Sequence, residues 1–123
     1  MRFGDGKNTA EPNQLNFDAK QRERYSVAGT SRKETVSVRA FRPNALGPHH
    51  MSENVWEWTQ DAYASDYKQV GVDNPVYTRS GEYGVHRGGS WHTGPRELRC
   101  SYRYSYSPDL RGYGFGFRVA RAR

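Results

Sequence analysis

Residues Asn54–Asp61 read NVWEWTQD, and the spacing of the two tryptophans decides what kind of chain this is. Extended backbone alternates faces at every residue, so Trp56 and Trp58 share one face while Val55, Glu57 and Thr59 share the other. Two indoles on one strand face build a large apolar surface from few residues. The chain needs that device, because only 34% of its 123 residues are apolar while 14% are aromatic. The core is therefore expected to lean on rings, with Trp56, Trp58, Trp91 and Phe117 inside. The length fits one domain over residues 1–123.

Outward from that strand, the pattern of two recurs. GVHRGGSW (84–91) predicts a short strand. In ELRCSYRYSYS (97–107), Leu98, Cys100, Tyr102, Tyr104 and Tyr106 alternate with Arg99, Ser101, Arg103, Ser105 and Ser107. This predicts a strand with Cys100 packed on its apolar face. PDLRGYG is a turn-rich loop, and FGFRVARAR (115–123) reads as a closing strand. Toward the N-terminus, ETVSVRAF (34–41) alternates Val36, Val38 and Ala40 with polar residues and predicts another strand. Residues 1–34 read as loop with short extended pieces, and residues 62–84 as loop with exposed tyrosines. Helix signals are nearly absent, and no tandem repeat is evident.

Net charge is +6, which favours phosphate, acidic glycans or acidic proteins as partners but is also common on soluble domains. The single cysteine excludes an internal disulfide and the paired-cysteine zinc patterns. No apolar run approaches membrane-spanning length and no secretory leader opens the chain, so a cytoplasmic location is the default expectation. His86 and His92 are placed to meet across a turn, a weak metal signal without a third ligand. His49 and His50 would point to opposite faces of a strand.

Three blocks stand in order: PNALG with MSENVWEWTQD, then HRGGSW, then GFRVAR. Together they resemble the formylglycine-generating enzyme (sulfatase-modifying factor) family, with the match running over residues 43–121. Asn16 falls on a recurrent asparagine of the loop before. The resemblance implies a C-type-lectin-like fold, α+β with little helix, irregular and loop-rich. The family's domain is usually longer, so the chain corresponds to its C-terminal half, as a truncated or minimal version. Pro48-His49-His50 and Glu53 depart from the family pattern.

The resemblance also bears on chemistry. Catalytic members carry two cysteines after Gly-Gly-Ser that bind copper(I), a metal suited to soft thiolates. Here that loop is HTGPREL (92–98), without cysteine. Copper is therefore not expected, nor is a catalytic residue. An oxidoreductase acting on a substrate cysteine stays the alternative. Family members often hold a structural calcium, which implies ligands at Glu57, the carbonyls of Val55 and Glu53, and the residue at His50. Glu57 has a competing partner in Arg118, since a carboxylate between two tryptophans needs one if buried.

The slots between the family landmarks hold His92, Thr93, Tyr102, Tyr104, Tyr106, Arg111, Tyr113 and Phe115. This layout is similar to the variable proteins of diversity-generating retroelements, which display a mutable ligand-binding face near the C-terminus. Tyr, Ser and Gly suit such a face, because tyrosine gives amphipathic contact at low entropic cost. The expected function is therefore non-catalytic binding of a protein or glycan through these eight residues. The same resemblance leaves a homo-oligomer, or an N-terminal half missing from this chain, as ways to cover the exposed core. Arg99–Tyr104 interleaves arginine with tyrosine as nucleic-acid surfaces do, but no nucleic-acid fold signature accompanies it, and that partner ranks last.

Overall fold

A computed structural model describes residues 1–66, 72–73, 75–78 and 83–121. Its sheet has four strands: β1 (Trp56–Ala62), β2 (Gly84–Arg87), β3 (Tyr104–Tyr106) and β4 (Phe115–Gly116). Their spatial order is β3-β2-β1-β4. β2 runs antiparallel to both β1 and β3, and β4 runs parallel to β1. Among the described residues there is no helix.

The registers explain why the sheet has one aromatic face. Trp56 stands opposite Phe115, Trp58 opposite His86, and His86 opposite Tyr104. Side chains of paired residues point the same way, so Trp56, Trp58, His86, Tyr104, Tyr106 and Phe115 share a face. Gly84 belongs to that face too, and the site requires glycine. A Cβ there would lie 2.6 Å from Cζ3 of Trp58. The ladder between β1 and β2 shifts register between Trp58 and Ala62. Such a shift bends the strand and raises its twist.

The apolar core lies elsewhere. Phe3, Ala10, Leu15, Phe17 and Ala19 pack with Leu98, and Tyr25 covers them. The N-terminal loop region thus supplies most of the buried aliphatic and phenylalanine surface. It holds little regular structure beyond an isolated parallel bridge between Ala10 and Ser26. What ties it to the sheet is a buried polar hub. The Asn16 amide donates to Glu53 Oε2 at 2.8 Å, and Asn16 Nδ2 donates to Asn54 Oδ1 at 3.1 Å. Buried polar groups have to be satisfied in this way, and doing so fixes one arrangement of the loops.

Several expectations are corrected. Residues 34–41 form no strand. The Val36 amide donates to Asn54 Oδ1 at 2.8 Å, so its backbone bonds a side chain instead of a neighbouring strand, and Val38 is 72% exposed. Residues 97–101 are turns, and only Tyr104–Tyr106 of the expected strand pairs. Cys100 is consequently an exposed free thiol and not a packed one. Phe117 is 79% exposed rather than in the core, and β4 ends at Gly116, one residue before it. Trp58 and Trp91 are half-buried, whereas Trp56 is buried as expected. His49 and His50 are not on a strand, and their rings stack 6.2 Å apart. The expected loop at 62–84 and the closing strand at 115–123 fall partly outside the described residues.

Candidate functional site

The aromatic face of the sheet is open along one edge, where it forms a groove of about 320 Å³. It is lined by Trp56, Tyr102, Tyr104, Tyr106 and Phe115, and its rim includes His92, Thr93, Gly94, Glu97 and Gln21. β1 contributes the floor through Trp56, on which Tyr104 stacks at 5.7 Å and Tyr102 tilts at 6.0 Å. Tyr102 and Tyr104 lie nearly parallel, 12° apart. Phe115 closes the row edge-on to Tyr106 at 5.7 Å. Such edge and offset contacts hold rings in fixed positions.

The rim is held by its own hydrogen bonds. Thr93 Oγ1 accepts from the Ser90 amide at 2.9 Å and donates to the Ser90 carbonyl at 3.0 Å. Its hydroxyl therefore shapes the turn, and its contribution to a ligand would be steric. His92 Nδ1 lies 3.1 Å from Ser90 Oγ. Gly114 has to be glycine beneath this ring, since a Cβ there would overlap the imidazole. Tyr104 and Tyr106 are 40% and 37% exposed, so each ring has one half in the wall and one half free. The Tyr104 hydroxyl is held above the usual phenol range, chiefly by Tyr106, then by burial, and last by Glu97.

Six of the eight binding residues expected from sequence therefore line one cavity: His92, Thr93, Tyr102, Tyr104, Tyr106 and Phe115. Arg111 and Tyr113 are exposed and do not line it. Tyr113 stands beside the groove, its ring 5.6 Å from His92 and 5.7 Å from Trp91. Sequence reasoning missed Gln21, Glu97 and the role of Trp56 as a floor. His86 and His92 have separate partners. His86 is buried against Trp58, Tyr106 and Phe115.

The four residues expected to hold calcium do not fit that ion as they stand. Calcium needs six or more converging oxygens, as a rule. Both Glu57 carboxylate oxygens accept from Arg118, with Nε to Oε2 at 2.9 Å and Nη2 to Oε1 at 2.8 Å. The same guanidinium donates to the carbonyls of His49 and His50 at 2.8 and 3.3 Å. The Glu53 carboxylate is paired with His50 Nδ1 and the Asn16 amide, and the Glu53 carbonyl accepts from Val55. The arginine supplies the positive charge that these oxygens would otherwise seek, and Glu57 in turn raises its pKa. Arg118→Ala is expected to cost only about 1 kcal/mol, because the fork is partly exposed. Urea denaturation measures it; a loss several times larger would show a buried structural role.

The sequence matches the family of Sulfatase-modifying factor enzyme 1-like domains over residues 1–123. The serine/threonine-protein kinase pkn1 of Chlamydia pneumoniae is 34% identical over 91 residues, 72% of this chain and 15% of that protein. The formylglycine-generating enzyme of Mus musculus is 35% identical over 89 residues, 70% of this chain and 24% of that protein. PvdO from Pseudomonas aeruginosa has a similar structure, with TM-score 0.73 and 28% identity, covering 95% of this chain and 42% of that one. Treponema denticola variable protein 1 follows with TM-score 0.69 and 27% identity, covering 86% of this chain and 35% of that one. The expected family and fold are borne out. The chain spans less than a quarter of either relative, so neither one's activity transfers with the likeness.

Proposed function

The chain belongs to the family of Sulfatase-modifying factor enzyme 1-like domains, and from that premise we propose that it is a non-catalytic ligand-binding module. Its ligand, a protein or a glycan, is taken in the aromatic groove. One observation carries this reading: five rings and His92 from four separate parts of the chain converge on a single cavity. Rings locked against one another lose little entropy on binding, which favours them as contact surfaces. The likeness to Treponema denticola variable protein 1 supports reading residues 92–115 as a diversified face on a constant scaffold.

The oxidoreductase alternative lacks its chemistry. Residues 92–98 contain no cysteine, and Cys100 lines a different cavity, with Arg87 and Arg103. A lone thiol cannot form the thiolate pair that copper(I) would use.

The test is a double substitution, Tyr104→Ala with Tyr106→Ala, assayed on arrays of immobilised peptides and oligosaccharides. Binding by the parent chain is expected to weaken at least about tenfold, the effect of about 1.4 kcal/mol. The melting temperature should fall by only a few degrees, since both rings are part exposed. Unchanged binding would remove the groove from the function. Unfolding of the variant would show that the rings are core.

A further inference from the structure

We infer that the groove is built for a cationic side chain, the guanidinium or ammonium group of a basic peptide. This rests on the groove being the binding site, and it adds the chemistry of the ligand. The groove's charge is opposite to that of the molecule around it. The chain carries 19 Lys and Arg against 13 Asp and Glu. Yet among the described residues no Lys or Arg lines this cavity, and its one formally charged side chain is Glu97. Arg96 and Arg99 flank Glu97 in sequence but do not line the groove, and Arg99 Nε is engaged by the Arg96 carbonyl at 2.9 Å.

Glu97 is half-buried, and among the described residues its carboxylate has no ion-pair or hydrogen-bond partner. It lines the same cavity as Tyr104, and its charge adds a little to holding that hydroxyl above the usual phenol range. Gln21 adds a second acceptor to the rim. Its Nε2 donates to Asp18 Oδ2 at 3.1 Å, which leaves Oε1 on the side of Gly94.

Charge then selects the occupant. A neutral sugar or an acidic peptide seated here would cover the Glu97 carboxylate and leave it without water or a counter-charge, which is costly. A cation compensates it, and gains further from ring faces within about 6 Å. Tyr102 and Tyr104, nearly parallel to each other above the Trp56 floor, supply those faces on one wall. Arginine suits the site best, because its planar group can lie on a ring while its N–H groups reach a carboxylate.

The experiment follows the indole signals of the full chain by NMR during titration with acetyl-Gly-Arg-Gly-amide. Parallel titrations use the same peptide with citrulline, tetramethylammonium chloride at equal ionic strength, and chitotriose. The arginine peptide is expected to shift the Trp56 indole and to bind at least about tenfold tighter than its citrulline counterpart, the worth of a charged hydrogen bond. Glu97→Gln should abolish that preference and Glu97→Asp should keep most of it. Equal binding of both peptides, or a preference that survives Glu97→Gln, overturns the inference. Tetramethylammonium binding as tightly as the arginine peptide overturns the assignment to a peptide. Chitotriose shifting Trp56 while the arginine peptide does not would sink the cation reading and leave the groove as a binding site. Silence from all four ligands would count against both.

Discussion

Asn54→Ala is expected to cost about 3–5 kcal/mol of folding stability, from a total that for a domain is about 5–15 kcal/mol. Asn54 sits where three segments meet. Its Oδ1 accepts from the Val36 amide at 2.8 Å and from Asn16 Nδ2 at 3.1 Å, and its Nδ2 donates to the Val36 carbonyl at 3.3 Å. Its own amide bonds the Asn16 carbonyl, and its carbonyl accepts from Trp91. Alanine removes the side-chain bonds, strands the part-buried Val36 amide, and leaves Asn16 Nδ2 with the Glu34 carbonyl as its one acceptor among the described residues. A buried orphan costs about 1–3 kcal/mol. A second contribution comes from the backbone. Asn54 has φ of 72°, a left-handed conformation that asparagine tolerates and alanine resists. Urea denaturation of parent and variant measures the sum. Asn54→Asp keeps the acceptor and loses the donor, so it should lose less. An alanine variant within about 1 kcal/mol of the parent would mean that the loops are held by the Phe3–Phe17 cluster alone.

That hub also explains what could be read from sequence and what could not. Trp56 and Trp58 were legible because alternation is a local property, and β1 keeps it over both tryptophans, before the register shift toward Ala62. The same pattern misled at Val36 and Val38. A strand needs a partner, and the groups that Val36 bonds come from Asn54, which alternation cannot show. The core residues Phe3, Leu15 and Phe17 lie in aperiodic loop, so only tertiary packing marks them as buried. The tyrosines of the groove were legible because β3 places Tyr104 and Tyr106 on one face. Glu97 was not, since it lies in a turn that the alternation of residues 97–107 disguised as strand. Trp56 was assigned to the core and is there, but one buried ring can also be a floor. For Glu57 the sequence offered two partners, a calcium ion through the resemblance and Arg118 through charge, and Arg118 is the partner beside it in the structure.

Acid should destabilise the fold through His86, by about 3 kcal/mol between neutral pH and pH 4. The ring is fully buried, and neither nitrogen has a hydrogen-bond partner among the described residues. Its neighbours are the rings of Trp58, Phe115 and Tyr106, none of which can stabilise a charge by an ion pair. Burial therefore lowers its pKa from 6.5 to about 4. The native state holds the neutral ring, and the unfolded chain takes up a proton below pH 6.5. Stability is thus full above 6.5, falls as the pH drops toward 4, and levels off below that. Asp18 also titrates low, but its loss begins beneath this window, from 3.8 downward. Urea midpoints at a series of pH values should trace the fall, and His86→Phe should flatten it between 6.5 and 4. If the variant lost stability as steeply as the parent, the imidazole would not be the source. The groove is tied to the same ring, because Tyr106 and Phe115 line the cavity and rest on His86. A proton there would push a charge against two of its walls. Ligand affinity should therefore hold while stability falls and weaken only near pH 4, where the native ring takes up its proton, and in His86→Phe it should persist to lower pH.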